Sequence, residues 1–321
     1  MSNVASPLPT YDYAPAPLGT GRRAAVLGSP IAHSLSPVMH QTAYAELGLR
    51  DWVYDQAECD AAALPAMLAA LDEEWAGLSL TMPLKQAVMA HLDVIEPQAE
   101  VVGGVNTVIV QHTGASRLLI GANTDVHGIV AALREVTSPQ WAPRRAVILG
   151  AGATAASTLA ALAQLGITGS TVLARNPGRA APLQLAAHRM GVTIRVRRWS
   201  DHAAAARELR GADVVISTLP AGAADELAGA LDATLAGGGL ADDQALLDVV
   251  YDPWPTPLAR SWQRAGGTVA SGALMLLHQG AEQVRLMTGR IAPIERMRVA
   301  LDAEITARAA GPQHVPAEHS G

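Results

Sequence analysis

The sequence predicts an α/β protein of two domains, and three observations lead there. The chain has 321 residues, more than one hydrophobic core usually organises. Short apolar runs alternate with stretches of helical character along most of that length, the pattern of strands with covering helices. From residue 145 the alternation becomes regular, and a glycine-rich turn joins the first strand of that series to its helix.

Composition narrows the class. Half of the residues are hydrophobic, 16% are charged and there is no Phe, which marks a soluble globular protein. The net charge of -6 comes with no basic tract, so nucleic acid is not an expected partner. The single cysteine, Cys59, excludes an intramolecular disulfide and fits a reducing, cytoplasmic setting. No window approaches the roughly 18 consecutive apolar residues of a membrane helix. The opening MSNVASPLPTYDYAPAPLGTG is Pro-rich and lacks the apolar core of a signal peptide. Residues 1–21 read as a disordered leader and 310–321 as a disordered tail.

The first third opens on a strand at 24–27. A helix runs from Pro37 to about Leu47 and is stopped by Gly48. A strand at 52–57, a helix at 61–71 and a strand at 77–82 follow, and Pro83 ends that strand and starts another helix. Segments 107–111 and 117–121, joined through Thr113-Gly114-Ala115-Ser116, read as a hairpin. A helix at 126–136 leads into TSPQWAPRR, a loop that reads as a hinge. Then come AVILGAG as a strand, ATAASTLAALAQLG as a helix and STVLAR as a strand, with the series continuing through DVVISTLP and ALLDVVY to TVA at 268–270. Such alternation implies a parallel sheet covered on both faces. Two further helices, 273–288 and 294–309, follow the last strand and are placed to pack back on the first domain.

The turn VILGAGATAA supplies Gly150-x-Gly152-x-x-Ala155 between strand and helix, a dinucleotide-binding arrangement of Rossmann type. Gly150 permits the tight turn, Gly152 lets a pyrophosphate approach backbone N–H groups, and Ala155 keeps the helix close to the sheet. An NAD site usually places an acid after the next strand to bind the ribose 2′-hydroxyl. Here that strand ends LARNPGR, and no acid occurs between Ala156 and Ser200. Arg175 and Arg179 stand where a 2′-phosphate would lie, and guanidinium suits phosphate. The cofactor expected is NADP.

Polar groups gather at other element ends. In GSPIAHSLSPVMH, Ser34 and Ser36 are two apart, so in extended backbone both hydroxyls face one way. The competing reading is that Ser36 caps the helix opened by Pro37. Thr81 and Lys85 lie in GLSLTMPLK, Asn106 in GGVNT, and Asn123, Thr124 and Asp125 in GANTD. Singly these are ordinary turn, cap or surface residues. Together they bring hydroxyl, amide, ammonium and carboxylate to element ends able to converge on one cleft. The histidines show no HExxH or Cys-assisted metal-ligand spacing, so no metal is expected.

From about Ala24 to Ala307 the chain resembles the shikimate dehydrogenases of aromatic amino-acid biosynthesis. SPIAHSLSP, TMPLK, GGVNT, NTD, GAGATA, ARN, STLP, YDPWPTP and SGALMLLHQ occur in the family's order. The form of SPIAHSLSP, LTMPLK and YDPWPTPL is closest to actinobacterial members. The resemblance implies a discontinuous α/β substrate-binding domain, residues 22–125 and 272–309, beside a parallel-sheet NADP-binding domain, residues 126–271. It implies reversible NADPH-dependent reduction of 3-dehydroshikimate to shikimate. Lys85 and Asp125 match the catalytic pair. Ser34 and Ser36, with Tyr251 nearby, match the carboxylate site, while Thr81, Asn106 and Gln279 match positions that grip ring hydroxyls. On the cofactor side it adds Ala151, Ala153, Thr154, Ala174, Asn176, Thr218, Leu219, Pro220, Val249, Gly272 and Met275.

One position departs from the pattern. Many members carry Asn where this chain has Ser79, a shorter side chain with one donor, which leaves Ser79 without an assigned ligand role. The substrate is expected to be a small molecule, with no nucleic-acid or membrane partner, and the protein a monomer or homodimer. Two alternatives remain. One is a quinate/shikimate dehydrogenase, against which Arg175 and the missing acid argue. The other is a metabolite-binding regulator on the same scaffold, which would need neither Lys85 nor Asp125.

Overall fold

The computed structural model describes residues 22–114 and 116–310. The expected leader, and all of the expected tail except Ala310, lie outside the described residues. Two six-stranded sheets organise the chain. The first contains β1 (Arg23–Gly28), β2 (Val53–Glu58), β3 (Trp75–Leu80), β4 (Val94–Ile95), β5 (Thr107–Thr113) and β6 (Ser116–Ala122), in the order β2-β1-β3-β5-β6-β4. β2, β1 and β3 run parallel, β3–β5 and β5–β6 are antiparallel, and β4 runs parallel to β6. Parallel neighbours need crossovers, supplied by the helices Ser36–Glu46 and Leu64–Ala69, each with a proline in its first turn. All six residues of β3 are buried, and apart from Ser79 none has a polar side chain, as suits a strand covered on both faces.

The second sheet contains β7 (Ala146–Leu149), β8 (Gly169–Ala174), β9 (Thr193–Arg198), β10 (Val214–Ser217), β11 (Ala245–Asp248) and β12 (Thr268–Ser271), in the order β12-β11-β10-β7-β8-β9. Every pairing is parallel. Ile148, Leu159 and Leu183 belong to the core on one face, and Leu149, Leu246 and Trp262 to the core on the other. The order of winding reverses at β7, so the crevice past the carboxyl ends of β7 and β10 is the topological switch point, where such sheets bind ligands. The outermost strand, β9, alternates in burial, as suits a solvated edge.

The two closing helices do return to the first sheet. Gly272–Thr288 packs along Asp125–Val136, and Ile294–Ala309 along Ser36–Glu46. Leu35, Met39, Leu277, Val284, Met297 and Leu301 form their shared core. A Cβ on Gly128 would lie 2.7 Å from the Met275 carbonyl oxygen, so the first of these contacts depends on glycine.

Some elements differ from expectation. The helix expected at 61–71 is only Leu64–Ala69, because the Asp60 carboxylate accepts the Ala62 and Ala63 N–H groups and holds a turn there. The loop TSPQWAPRR is pinned rather than free. Its Trp141 is buried and donates to the Asp243 carbonyl at 2.8 Å, while Asp213 accepts the N–H groups of Arg144 and Arg145. Among the described residues no helix is long and apolar enough to cross a membrane.

Candidate active site

A cavity of about 330 Å3 lies between the first sheet, the helix Gly272–Thr288 and the first helix of the second sheet. Ser34, Ser36, Thr81, Lys85, Asn106, Asp125, Tyr251 and Gln279 all line it. A larger groove, about 770 Å3, lies at the opposite end of the second sheet and touches none of these. The smaller cavity is the candidate site because polar side chains converge in it around a largely buried ion pair.

That pair is Lys85 and Asp125. Lys85 sits on the one-turn helix Leu84–Ala87 behind Pro83, and Asp125 opens the helix Asp125–Val136, where the helix dipole favours a carboxylate. Nζ lies 2.5 Å from Oδ2, with the side chains 17% and 6% exposed. Every other one of the 23 Lys and Arg residues is arginine. An ammonium can release a proton in use, whereas a guanidinium cannot. The second oxygen of Asp125 accepts from the Asn106 amide at 2.8 Å. That amide also donates to Gln279 Oε1 at 3.2 Å, and Asn106 Oδ1 accepts the Thr124 N–H at 2.8 Å. Asn123 is spent structurally, donating to the Gly104 carbonyl at 2.7 Å.

At the other end of the cavity the two readings of Ser36 separate. The helix starts at Ser36 with Leu35 before it and no side-chain cap, and the Ser36 N–H donates to Ser34 Oγ at 3.3 Å. Ser36 therefore does not cap this helix. The guanidinium of Arg308, on the last helix, donates to the carbonyls of His33 (2.8 Å) and Ser34 (3.4 Å) and fixes the loop. Tyr251 is half-buried here, and burial pushes its phenol above the usual tyrosine range. Thr81 continues the β3 pairing by donating its N–H to the Leu27 carbonyl at 2.9 Å.

Ser79 lines the cavity but is committed to the protein. Its hydroxyl accepts from Tyr54 at 2.7 Å and donates to Gln283 Oε1 at 2.9 Å. With its one hydrogen used, it keeps only acceptor capacity. Tyr54, Thr107 and Gln283 were absent from the residues singled out by sequence. Thr107 closes the GGVNT motif, and Gln283 stands one helical turn after Gln279 on the same face.

The cofactor side is built mainly from backbone. Gly150 has φ +101°, and a Cβ there would lie 2.6 Å from Thr218 Oγ1, which itself donates to the Leu149 carbonyl. Gly152 precedes the helix Ala153–Gln164 in extended conformation, and a Cβ on it would meet nothing within 4 Å. The helix start is thus open to a pyrophosphate, with Ala151 and Ala153 half-buried around it and Ala155 fully buried beneath. Past β8, Ala174 is buried while Arg175, Asn176 and Arg179 are exposed. Neither arginine makes an ion pair among the described residues, and Asn176 Oδ1 accepts the Gly178 N–H at 3.1 Å. Leu219 and Pro220 follow β10 at the switch point. Thr154, Val249, Gly272 and Met275 also line the substrate cavity, so cradle and cavity are continuous. An open helix start, two unpaired arginines and no acid are a donor set that fits NADP.

Residues 26–108 match the family model for the shikimate dehydrogenase substrate binding domain, and 272–301 that for the shikimate 5'-dehydrogenase C-terminal domain. Shikimate dehydrogenase (NADP(+)) of Moorella thermoacetica is 37% identical over 291 residues, covering 90% of this chain and 95% of that one. The chain belongs to the shikimate dehydrogenase family. Shikimate dehydrogenase of Mycobacterium tuberculosis, a crystal structure, is 42% identical with a TM-score of 0.76, over 88% of this chain and 99% of that one. The Thermus thermophilus enzyme, solved in complex with NADP(H) and shikimate, is 33% identical with a TM-score of 0.71, over 88% and 99%. The α/β architecture of two sheets is that of shikimate dehydrogenases, a substrate-binding domain beside a Rossmann-like NADP domain.

Proposed function

We propose that this protein is an NADP-dependent shikimate dehydrogenase, reversibly reducing 3-dehydroshikimate to shikimate in aromatic amino-acid (chorismate) biosynthesis. One observation carries the reading: the chain's only lysine is held 2.5 Å from Asp125 inside a cavity that also presents paired serines.

The dinucleotide, when bound, supplies the hydride chemistry. Lys85 stabilises the charge developing on the substrate oxygen and donates a proton from Nζ, taking it back in the reverse direction. Asp125 holds the ammonium in line, and Asn106 fixes the Asp125 carboxylate. Ser34 and Ser36 donate to the substrate carboxylate beside Tyr251. Thr81, Asn106 and Gln279 bind ring hydroxyls, and Arg175 and Arg179 hold the 2′-phosphate. We assign residues 22–125 and 272–309 to the substrate domain and 126–271 to the NADP domain. The motif forms, with the 42% identity to the Mycobacterium tuberculosis enzyme, support an actinobacterial subtype. A cytoplasmic monomer or homodimer fits this reading.

The test is kcat/KM for shikimate and for quinate, each with NADP and with NAD. Shikimate with NADP should be best, exceeding shikimate with NAD by at least about tenfold. Quinate with NAD as the best pair would establish the quinate/shikimate dehydrogenase instead. No turnover with any pair would favour the regulator.

A further inference from the structure

A chain of side-chain hydrogen bonds runs through the protein behind the cavity to Asp125. Tyr54 donates to Ser79 (2.7 Å), Ser79 to Gln283 Oε1 (2.9 Å), and Gln283 Nε2 to Thr107 Oγ1 (3.1 Å). Thr107 donates to Asn106 Oδ1 (2.9 Å), and Asn106 Nδ2 donates to Asp125 Oδ1 (2.8 Å). All six residues are at most 4% exposed.

Every link donates in the same direction, towards the carboxylate, and backbone groups of fixed polarity set that direction. Gln283 Nε2 also faces the Asn106 carbonyl (3.4 Å), which can only accept, so Oε1 is the atom left for Ser79. Asn106 Oδ1 also faces the Thr124 N–H, which can only donate, so Nδ2 is the atom left for Asp125. Reversing the Asn106 amide would set its oxygen against a carboxylate and lose both bonds.

We infer that Thr107 and Gln283 are positioning residues for the reaction, acting through Asn106 to present a hydrogen to Asp125 Oδ1 and leave Oδ2 to Lys85. The inference rests on the role proposed for Lys85 and Asp125. Thr107 is the cleaner member, because it is fully buried and does not line the cavity. Its hydroxyl donates to Asn106 Oδ1, accepts from Gln283 and lies 3.4 Å from Thr124 Oγ1. It reaches the Asp125 carboxylate through Asn106 and touches no open part of the cavity itself. Both amide hydrogens of Gln283 are likewise held by Asn106 and Thr107.

The experiment compares Thr107→Val, which keeps the shape and removes the hydroxyl, with Thr107→Ser, which restores it. Thr107→Val should lower kcat for shikimate about 5-fold, the scale of one net hydrogen bond, and leave KM within about twofold. Thr107→Ser should recover kcat to within about twofold of wild type. A Thr107→Val enzyme with a lowered Tm but wild-type kcat would reduce Thr107 to a structural role and overturn the inference. Hydrogen exchange of the Asn106 side-chain amide, followed by NMR, gives a readout without turnover. It should be faster in Thr107→Val than in wild type or Thr107→Ser, and equal rates would overturn the inference. Wild-type protein without shikimate turnover would count against the proposed function, while amide exchange would still decide the positioning. If Thr107→Val fails to fold, Gln283→Met, which roughly conserves volume, carries the same readouts.

Discussion

Lys85 and Arg175 are both cations at the mouth of a ligand site, yet their surroundings are opposite. Lys85 is largely buried and fixed 2.5 Å from Asp125, whose other oxygen is held by Asn106. Arg175 is exposed and has no ion-pair partner among the described residues. Burying a charged pair is costly, and removing one partner strands the other. Such an arrangement suits a place where a proton must move along a set path. An exposed arginine stays hydrated until a phosphate arrives, keeps its charge throughout and is screened by salt. The contrast amounts to a division of labour: the cavity handles the proton, and the cradle selects the dinucleotide.

The largest expected effect lies on the buried side. Lys85→Ala should lower kcat by about 100- to 10,000-fold, the range of general acid catalysis, with little change in shikimate KM. A variant keeping a tenth of wild-type kcat would remove Lys85 from the mechanism. Asp125→Asn should do similar damage, since the amide keeps shape but loses the charge that orients the ammonium.

Another group on that side is held neutral by burial. His40 lies in the wall behind the cavity, stacked on Tyr54 at 3.9 Å with its Nδ1 2.9 Å from the Ser36 carbonyl. Burial lowers its pKa to about 4. The folded state thus binds fewer protons than the unfolded state between about pH 6.5 and pH 4, and stability falls as pH falls through that window. The loss attributable to His40 should reach about 3 kcal/mol by pH 4. Urea unfolding of wild type and His40→Leu at pH 7 and pH 4 isolates it. A stability difference between the two proteins that does not change with pH would contradict the buried neutral imidazole.

Smaller effects are expected where substrate is held and the cofactor chosen. Ser34→Ala and Ser36→Ala should each raise shikimate KM by about 10- to 150-fold, the range for a hydrogen bond to a charged group. Raised KM with unchanged kcat supports binding, whereas unchanged KM would remove these hydroxyls from the carboxylate site. Arg175→Ala should lower kcat/KM with NADP by about tenfold, mainly through KM, and leave the NAD value nearly constant. Added salt should weaken NADP binding more than NAD binding. Equal losses with both cofactors would erase the contrast between cavity and cradle.

The two regions also differed in how far sequence revealed them. The cradle was legible because strand, Gly150-x-Gly152 and helix are contiguous, and the missing acid can be read within one stretch. Lys85, Asn106 and Asp125 were legible as polar groups at element ends. Their convergence needed the family resemblance, because the first sheet interleaves parallel and antiparallel strands. Tyr54 was illegible and Gln283 was readable only as a neighbour of Gln279 on its helix face, since Ser79, which joins them, lies 25 residues from Tyr54 and 204 from Gln283. The cap that was the competing reading for Ser36 does not form, because the helix already begins at Ser36 and Leu35 holds the capping position. The two-residue strand β4 has no periodicity to read and exists by pairing with β6.

The cavity needs a cation able to give up a proton, while the cradle needs only fixed charge. Lys85→Arg separates the two needs, because it keeps the charge but supplies a group that does not deprotonate in proteins. The measurement is kcat for shikimate oxidation with NADP, alongside the Kd for NADP. kcat should fall by at least about 100-fold, with the Kd within about twofold of wild type. An arginine variant retaining more than a tenth of wild-type kcat would show that charge alone suffices at position 85, and would overturn this division.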